Sequence, residues 1–303
     1  MRARGQFRPA PVGLPNSTRS NGIRTLTEAQ ATADWVPPVG PLGELTSASA
    51  QRAGSIEAAA GAVDALRARA ASAPKPPPFA LALRGATVRV IAELKRRSPS
   101  KGVLNDTLNA PVRAAEYALG GAAALSILTE PTRFGGALDD LVAVRAAVSV
   151  PLLRKDFITS VVQLLEARAA GASAVLLIAR ALPPDRLRAL AVEAGRLGLE
   201  CLVEIRCESE LATALSVPGA VVGVNNRNLE TLEIDDAIGL RLLPLVPPDR
   251  IAVYESGVRG VAEIERAAEA GADAVLVGSV LSSASDGVAA VRALCSVRRR
   301  GRA

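Results

Sequence analysis

The sequence predicts an α/β protein, a (β/α)8 TIM barrel with an extra N-terminal helix and a disordered N-terminal extension. Three observations lead there. Strand-like and helix-like segments alternate eight times from residue 88 onward. Hydrophobic residues make up 49% of the 303 residues but aromatics only 2%, so the core is aliphatic, as in parallel sheets covered by helices. Three segments also echo one another: Gly120-Gly121-Ala122-Ala123-Ala124-Leu125, Ala170-Gly171-Ala172-Ser173-Ala174-Val175 and Ala270-Gly271-Ala272-Asp273-Ala274-Val275. Each reads as a helix end, a left-handed glycine and an apolar strand, the repeated junction a barrel requires.

Residues 1–50 are expected to form a disordered basic extension and residues 51–303 the barrel domain. The first stretch lacks periodicity, is rich in Pro, Gly, Ser, Thr and Arg, and has no acidic residue before Glu28. Such a start also fits an organellar transit peptide, although a cytoplasmic protein with a basic tail is the preferred reading. A helix is expected over 55–71, where Ser55 can cap and Ile56, Ala60, Val63 and Leu66 approximate one face. Pro76-Pro77-Pro78 lies beyond its end. Strands are expected at 88–95, 124–130, 151–157, 174–179, 200–205, 221–226, 251–255 and 274–278. The helices between and after them fall near 111–119, 138–148, 160–170, 184–197, 208–216, 235–243, 260–270 and 286–297.

Composition narrows the chemistry. There is no histidine, which removes His-based triads and HExxH zinc sites, and no metal site is expected. Acid–base work falls to Glu, Asp and Lys. Three cysteines, Cys201, Cys207 and Cys295, give no disulfide framework. Net charge is +6, with much of the basic excess in the two ends, including Arg298-Arg299-Arg300 and Arg302. Both ends read as solvated, disordered tails rather than nucleic-acid contacts. No apolar run is long enough to span a bilayer, so no membrane partner is expected.

The chemistry collects at the C-terminal ends of the expected strands, which form the active face of such barrels. Glu93 and Lys95 lie two residues apart and so share a side of the first strand. Ser98-Pro99-Ser100-Lys101-Gly102 then reads as a turn with donors for an anion such as phosphate. Lys155 ends the third strand on the same side as Leu153 and Phe157, with Arg154 facing the helices or the rim. It suits a general acid, with a Schiff-base lysine as the rival role. Glu204 ends an apolar strand as a general base or as the anchor of a lysine. Asn225-Asn226-Arg227 can orient a hydroxylated substrate and bind a carboxylate. Glu255 with Ser256-Gly257, and Gly278-Ser279, end the last two strands, where barrels often seat phosphate. Phe134 is a candidate for stacking on an aromatic ring.

These runs resemble indole-3-glycerol phosphate synthase, a carboxy-lyase of tryptophan biosynthesis. The resemblance is carried by Ile91-Ala92-Glu93-Leu94-Lys95-Arg96-Arg97-Ser98-Pro99-Ser100-Lys101-Gly102, Leu128-Thr129-Glu130 with Phe134-Gly135-Gly136, Leu153-Arg154-Lys155-Asp156-Phe157 and Leu202-Val203-Glu204-Ile205. It continues through Gly223-Val224-Asn225-Asn226-Arg227-Asn228-Leu229, Glu255-Ser256-Gly257-Val258 and Val275-Leu276-Val277-Gly278-Ser279. It implies ring closure, decarboxylation and dehydration of 1-(2-carboxyphenylamino)-1-deoxyribulose 5-phosphate, with no cofactor. It implies Lys155 as general acid, Glu204 and Lys95 as the acid–base pair of dehydration, and Glu93 as support for the lysines. Asn225 and Glu255 match residues lining the site. Ser98, Gly257, Gly278 and Ser279 match phosphate contacts beside Ser256, and Arg227 lies near the substrate carboxylate. The implied partner is the small phosphorylated substrate alone, bound by a monomer or weak oligomer. Two departures stand out: residues 55–71 are Ala-rich and weakly charged where the family carries a charged helix, and the run Gly278-Ser279-Val280 lacks the acidic residue expected after the glycine but keeps small groups. The rivals are another phosphate-binding barrel, such as phosphoribosylanthranilate isomerase or a Schiff-base aldolase, and a non-catalytic binding barrel.

Overall fold

A computed structural model describes residues 36–98 and 102–302. Eight parallel strands close into one barrel, each paired with the next in sequence and the last with the first. They are β1 (Arg89–Leu94), β2 (Ala124–Leu128), β3 (Leu152–Lys155), β4 (Ala174–Ile178), β5 (Glu200–Ile205), β6 (Val221–Asn225), β7 (Ala252–Glu255) and β8 (Ala274–Val277). All eight fall where the sequence places them. Their Val, Leu, Ile and Ala side chains are almost wholly buried, the mark of strands covered on both faces. At the three echoing junctions Gly121, Gly171 and Gly271 take φ of 101°, 84° and 92°, a region closed to most side chains.

The helices, in order, are α1 (Gly40–Ala58), α2 (Ala62–Ser72), α3 (Phe79–Ala82), α4 (Ala110–Gly120), α5 (Leu138–Ala147), α6 (Val161–Ala169), α7 (Pro184–Arg196), α8 (Glu208–Leu215), α9 (Asp236–Leu242), α10 (Val261–Glu269), α11 (Ser279–Ser282) and α12 (Gly287–Leu294). The expected outer ring is present, with α11 inserted after β8.

Three expectations need correction. The helix expected over 55–71 is two helices, parted at Gly61, whose φ of 75° ends a continuous helix. The boundary at residue 50 falls inside α1, which starts at Gly40 with Pro41 in its first turn. Its buried face is Leu42, Leu45, Thr46, Ser49 and Ala53, a true helical stripe made partly of hydroxyl residues. Those hydroxyls are satisfied locally: Thr46 Oγ1 donates to Leu42 O, and Gln163 Nε2 donates to Ser49 Oγ at 2.8 Å. The C-terminal segment, finally, is docked rather than a solvated tail, although the Arg298 and Arg300 side chains stay exposed. Arg298 bridges Thr87, Arg299 N donates to Ala86 O at 3.0 Å, and the Arg302 side chain is 4% exposed. The rest of the expected extension, residues 1–35, and the turn residues Pro99, Ser100 and Lys101 lie outside the described residues.

Candidate active site

The strands β1, β3, β5 and β7 send Glu93, Lys155, Glu204 and Glu255 into the barrel mouth. Alternate strands fill one layer of a barrel, and such layers are ordinarily branched and apolar. Here the uppermost layer is three carboxylates and an amine. The carboxylates are 4% exposed or less. Lys155 Nζ stands 3.5 Å from Glu204 Oε2 and 3.5 Å from Glu255 Oε2. Lys95, just past β1, stands 3.5 Å from Glu93 Oε1. Charge-assisted hydrogen bonds normally close to about 2.7–2.9 Å. Lys155 is therefore shared between two acids, Lys95 leans on one, and both amines keep donor capacity for a ligand.

Electrostatics divide the two lysines. Burial works to lower the Lys155 pKa, but Glu255, Glu204 and Glu93 outweigh it and hold the ammonium above its ordinary range. Lys95 goes the other way: burial lowers its pKa, Lys155 and Arg227 add to the fall, and Glu93 offsets only part. Burial pushes the Glu255 carboxyl up to about 8 against the pull of Lys155.

A cavity of about 590 Å³ opens on this layer. Glu93, Lys95, Phe134, Lys155, Glu204, Asn225, Arg227, Glu255, Ser256, Gly257, Gly278 and Ser279 all line it. Asn225 Oδ1 accepts from Ser256 Oγ and from Arg227 N, both at 2.9 Å, so β6 and the next loop are tied together. Ser256 and Gly257 both take positive φ, 65° and 87°, an unusual pair for a turn holding a serine. Burial lowers the Arg227 pKa, partly offset by Glu93. Phe134 packs near Phe157, ring centroids 6.5 Å apart, with Lys95 Nζ 5.6 Å from its own. Its loop is held by the buried Glu130 carboxylate, which accepts from Thr132 N, Arg133 N and Phe134 N at 2.8–3.1 Å.

Two expected site residues sit elsewhere. Ser98 is buried in a short antiparallel hairpin opposite Gly102 and is not part of the cavity wall. Asn226 is fully buried and spends its amide on backbone: Nδ2 donates to Glu255 O and Ser256 O, and Oδ1 accepts from Gly239 N. Arg154 faces the helices as expected, donating to Gln163 O at 2.8 Å and pairing with Glu166 at 3.0 Å.

Sequence reasoning missed Leu45 and the apolar loop residues Leu229, Leu232 and Ile234, and gave no role to Asp156, which it had placed at a strand end; all line the cavity wall. Asp156 accepts from Thr129 Oγ1 at 2.7 Å and pairs with Arg52 of α1 at 3.3 Å, so it ties the first helix to the mouth. Its place beside Lys155 was a usable signal. Apolar residues in a loop after β6 carried none.

The family profile described as indole-3-glycerol phosphate synthase matches residues 45–294. An indole-3-glycerol phosphate synthase of Nocardioides sp. is 54% identical over 214 residues, covering 71% of this chain and 82% of that protein. The enzyme of that name from Kineococcus radiotolerans is 52% identical over 66% of this chain and 73% of its own. That of Mycolicibacterium smegmatis is 48% identical over 76% and 84%. Among solved structures, 3-hexulose-6-phosphate synthase from Salmonella typhimurium superposes with a TM-score of 0.55 at 14% identity, over 68% of this chain and 96% of that one. A thiamine phosphate pyrophosphorylase from Pyrococcus furiosus gives 0.52 at 15% identity, over 69% and 94%. At that identity the likeness shows the barrel fold.

Proposed function

The chain belongs to the indole-3-glycerol phosphate synthase family, and we propose that it converts 1-(2-carboxyphenylamino)-1-deoxyribulose 5-phosphate to indole-3-glycerol phosphate, CO2 and water. The observation that carries this reading is the charged layer itself, Lys155 between Glu204 and Glu255, facing a cavity of about 590 Å³ with an aromatic wall.

The chemistry follows from what each group can do. Ring closure joins the anthranilate carbon bearing the carboxylate to the ribulose carbonyl carbon. Lys155 donates a proton to the carbonyl oxygen as that bond forms, and loss of CO2 restores the aromatic ring. Its raised pKa supports the role by keeping the amine charged through neutral pH. Dehydration then removes a hydroxyl and a ring proton. Lys95, whose lowered pKa makes it the readier donor, and Glu204 form the acid–base pair for that step. Glu93 holds Lys95 in place. From the cavity wall, Arg227 would neutralise a substrate carboxylate and Phe134 would stack on the ring. The small residues Ser256, Gly257, Gly278 and Ser279 leave room for a phosphate at the loops after β7 and β8. The charge held on Lys155 counts against a Schiff-base role, which needs a neutral amine.

The test is direct. Purified protein in EDTA is given the substrate, and indole-3-glycerol phosphate is followed by fluorescence. Turnover that vanishes in Lys155→Ala is the expected result. Binding without turnover would leave a non-catalytic barrel, and neither would mean that the ligand is wrong.

A further inference from the structure

Gly223 lies inside β6, buried, at a strand position without a positive φ. Glycine in a strand interior weakens it and packs nothing. Backbone conformation does not call for it here, so space must. A Cβ built on Gly223 would overlap Glu255 Oε1 and stand 3.2 Å from Glu255 Cδ and 3.4 Å from Leu202 Cδ1. Glu255 is on the neighbouring strand, opposite Asn225, and its side chain reaches back over Gly223. Its Oε1 is buried there with no hydrogen-bond partner among the described residues, while Oε2 faces Lys155 Nζ at 3.5 Å. The same device recurs after β8, where a Cβ on Gly278 would overlap Glu93 Oε1. In each case the glycine lies in, or directly after, the strand beside the one that carries the glutamate.

We propose that Gly223 is a positioning residue: its empty side-chain volume is the niche that turns Glu255 toward Lys155 and thereby sets the proton balance of that amine. The proposal rests on the reading of Lys155 as the proton donor. Once ionised, Glu255 contributes most among the carboxylates to holding Lys155 charged against burial. The charged groups that line the same cavity are Glu93 from β1, Lys95 just past it, Lys155 from β3 with Asp156 after it, Glu204 from β5, Arg227 and Asp235 beyond β6, Asp236 at the start of α9 and Arg259 after β7. A side chain at 223 would push the carboxylate off the niche and change its distance to Lys155 without touching the cavity itself.

The experiment compares Gly223→Ala, Glu255→Asp and the double variant, since aspartate is one methylene shorter and frees the volume that alanine takes. Gly223→Ala is expected to melt as a folded protein, to lose about 10²-fold in kcat with KM near wild type, and to shift the pH profile of kcat. The double variant is expected to exceed the product of the two single effects, a positive coupling in the cycle. Wild-type kcat and pH profile in Gly223→Ala, or purely multiplicative losses in the double variant, would overturn the proposal. Should Gly223→Ala fail to fold, a folded, active double variant supports the niche and an unfolded one overturns it. A second readout needs no turnover: 13C NMR of carboxyl-labelled glutamate, with Glu255 assigned by its loss in Glu255→Gln. A wild type without turnover sinks the proposed reaction, while the Glu255 midpoint still decides the niche, supporting it by moving in Gly223→Ala and overturning it by staying.

Discussion

The two ends of the barrel use the same residue types to opposite ends. At the N-terminal end, Asp273 accepts from Ala252 N at 2.8 Å, Arg299 at 2.6 Å and Arg302 at 2.8 Å. Glu200 accepts from Phe79 N at 2.7 Å and Ala80 N at 2.8 Å, capping α3. Arg250 donates to the Val217 and Leu215 carbonyls. The carboxylate contacts lie at ordinary hydrogen-bond length, and both oxygens of each carboxylate are used. At the C-terminal end the lysine–glutamate distances are all 3.5 Å, and Glu255 Oε1 has no partner among the described residues. A charge with its hydrogen-bonding capacity used up locks structure. One left short of partners in a buried cavity is available to a ligand, and that difference, not the presence of charge, separates clasp from candidate active site.

Breaking each end should give a different signature. Lys155→Ala at the mouth is expected to lower kcat by about 10²–10⁴-fold with the barrel still folded. Steady-state rates beside a circular dichroism melt check it, and unchanged turnover ends the assignment. Asp273→Ala at the other end should do the reverse: it strands the buried Arg302 guanidinium and should cost about 3–5 kcal/mol in urea unfolding, with kcat of the folded protein unchanged. Loss of turnover without loss of stability there would erase the distinction drawn above. A subtler contrast lies in pH. The Glu255 carboxyl is raised from 4.5 to about 8, so between those values the folded chain holds a proton that the unfolded chain has lost. The folded state then binds more protons, and this group's contribution to stability falls as pH rises through that window. Glu255→Gln should flatten that slope in melts taken at each end of the window. An unaltered slope would assign it to other groups. The smallest effect is expected at the rim, where Arg133 and Glu44 pair at 2.8 Å with both side chains more than half exposed. Arg133→Ala should change stability by about 0–1 kcal/mol in urea unfolding, and a larger loss would mean that this pair anchors α1.

Much of this molecule is legible in the order of its residues. Alternation and the repeated glycine junctions determined eight strands and their helices, because strand and helix periods and left-handed glycine are local physics. The charges at the strand ends determined which face carries the chemistry, because the strands are parallel and all end on one side. Tertiary structure decided the rest. Thr46 and Ser49 look polar in sequence, yet α1 buries them because each hydroxyl finds a partner. Arg302 reads as a tail residue until the fold brings Asp273 and the Arg250 carbonyl to it. Gly223 is unremarked in sequence because its role depends on a side chain thirty-two positions along the chain, Glu255, that only barrel closure places beside it. Local patterns report what neighbours in sequence can do, whereas burial, partner satisfaction and free volume exist only once distant segments have met.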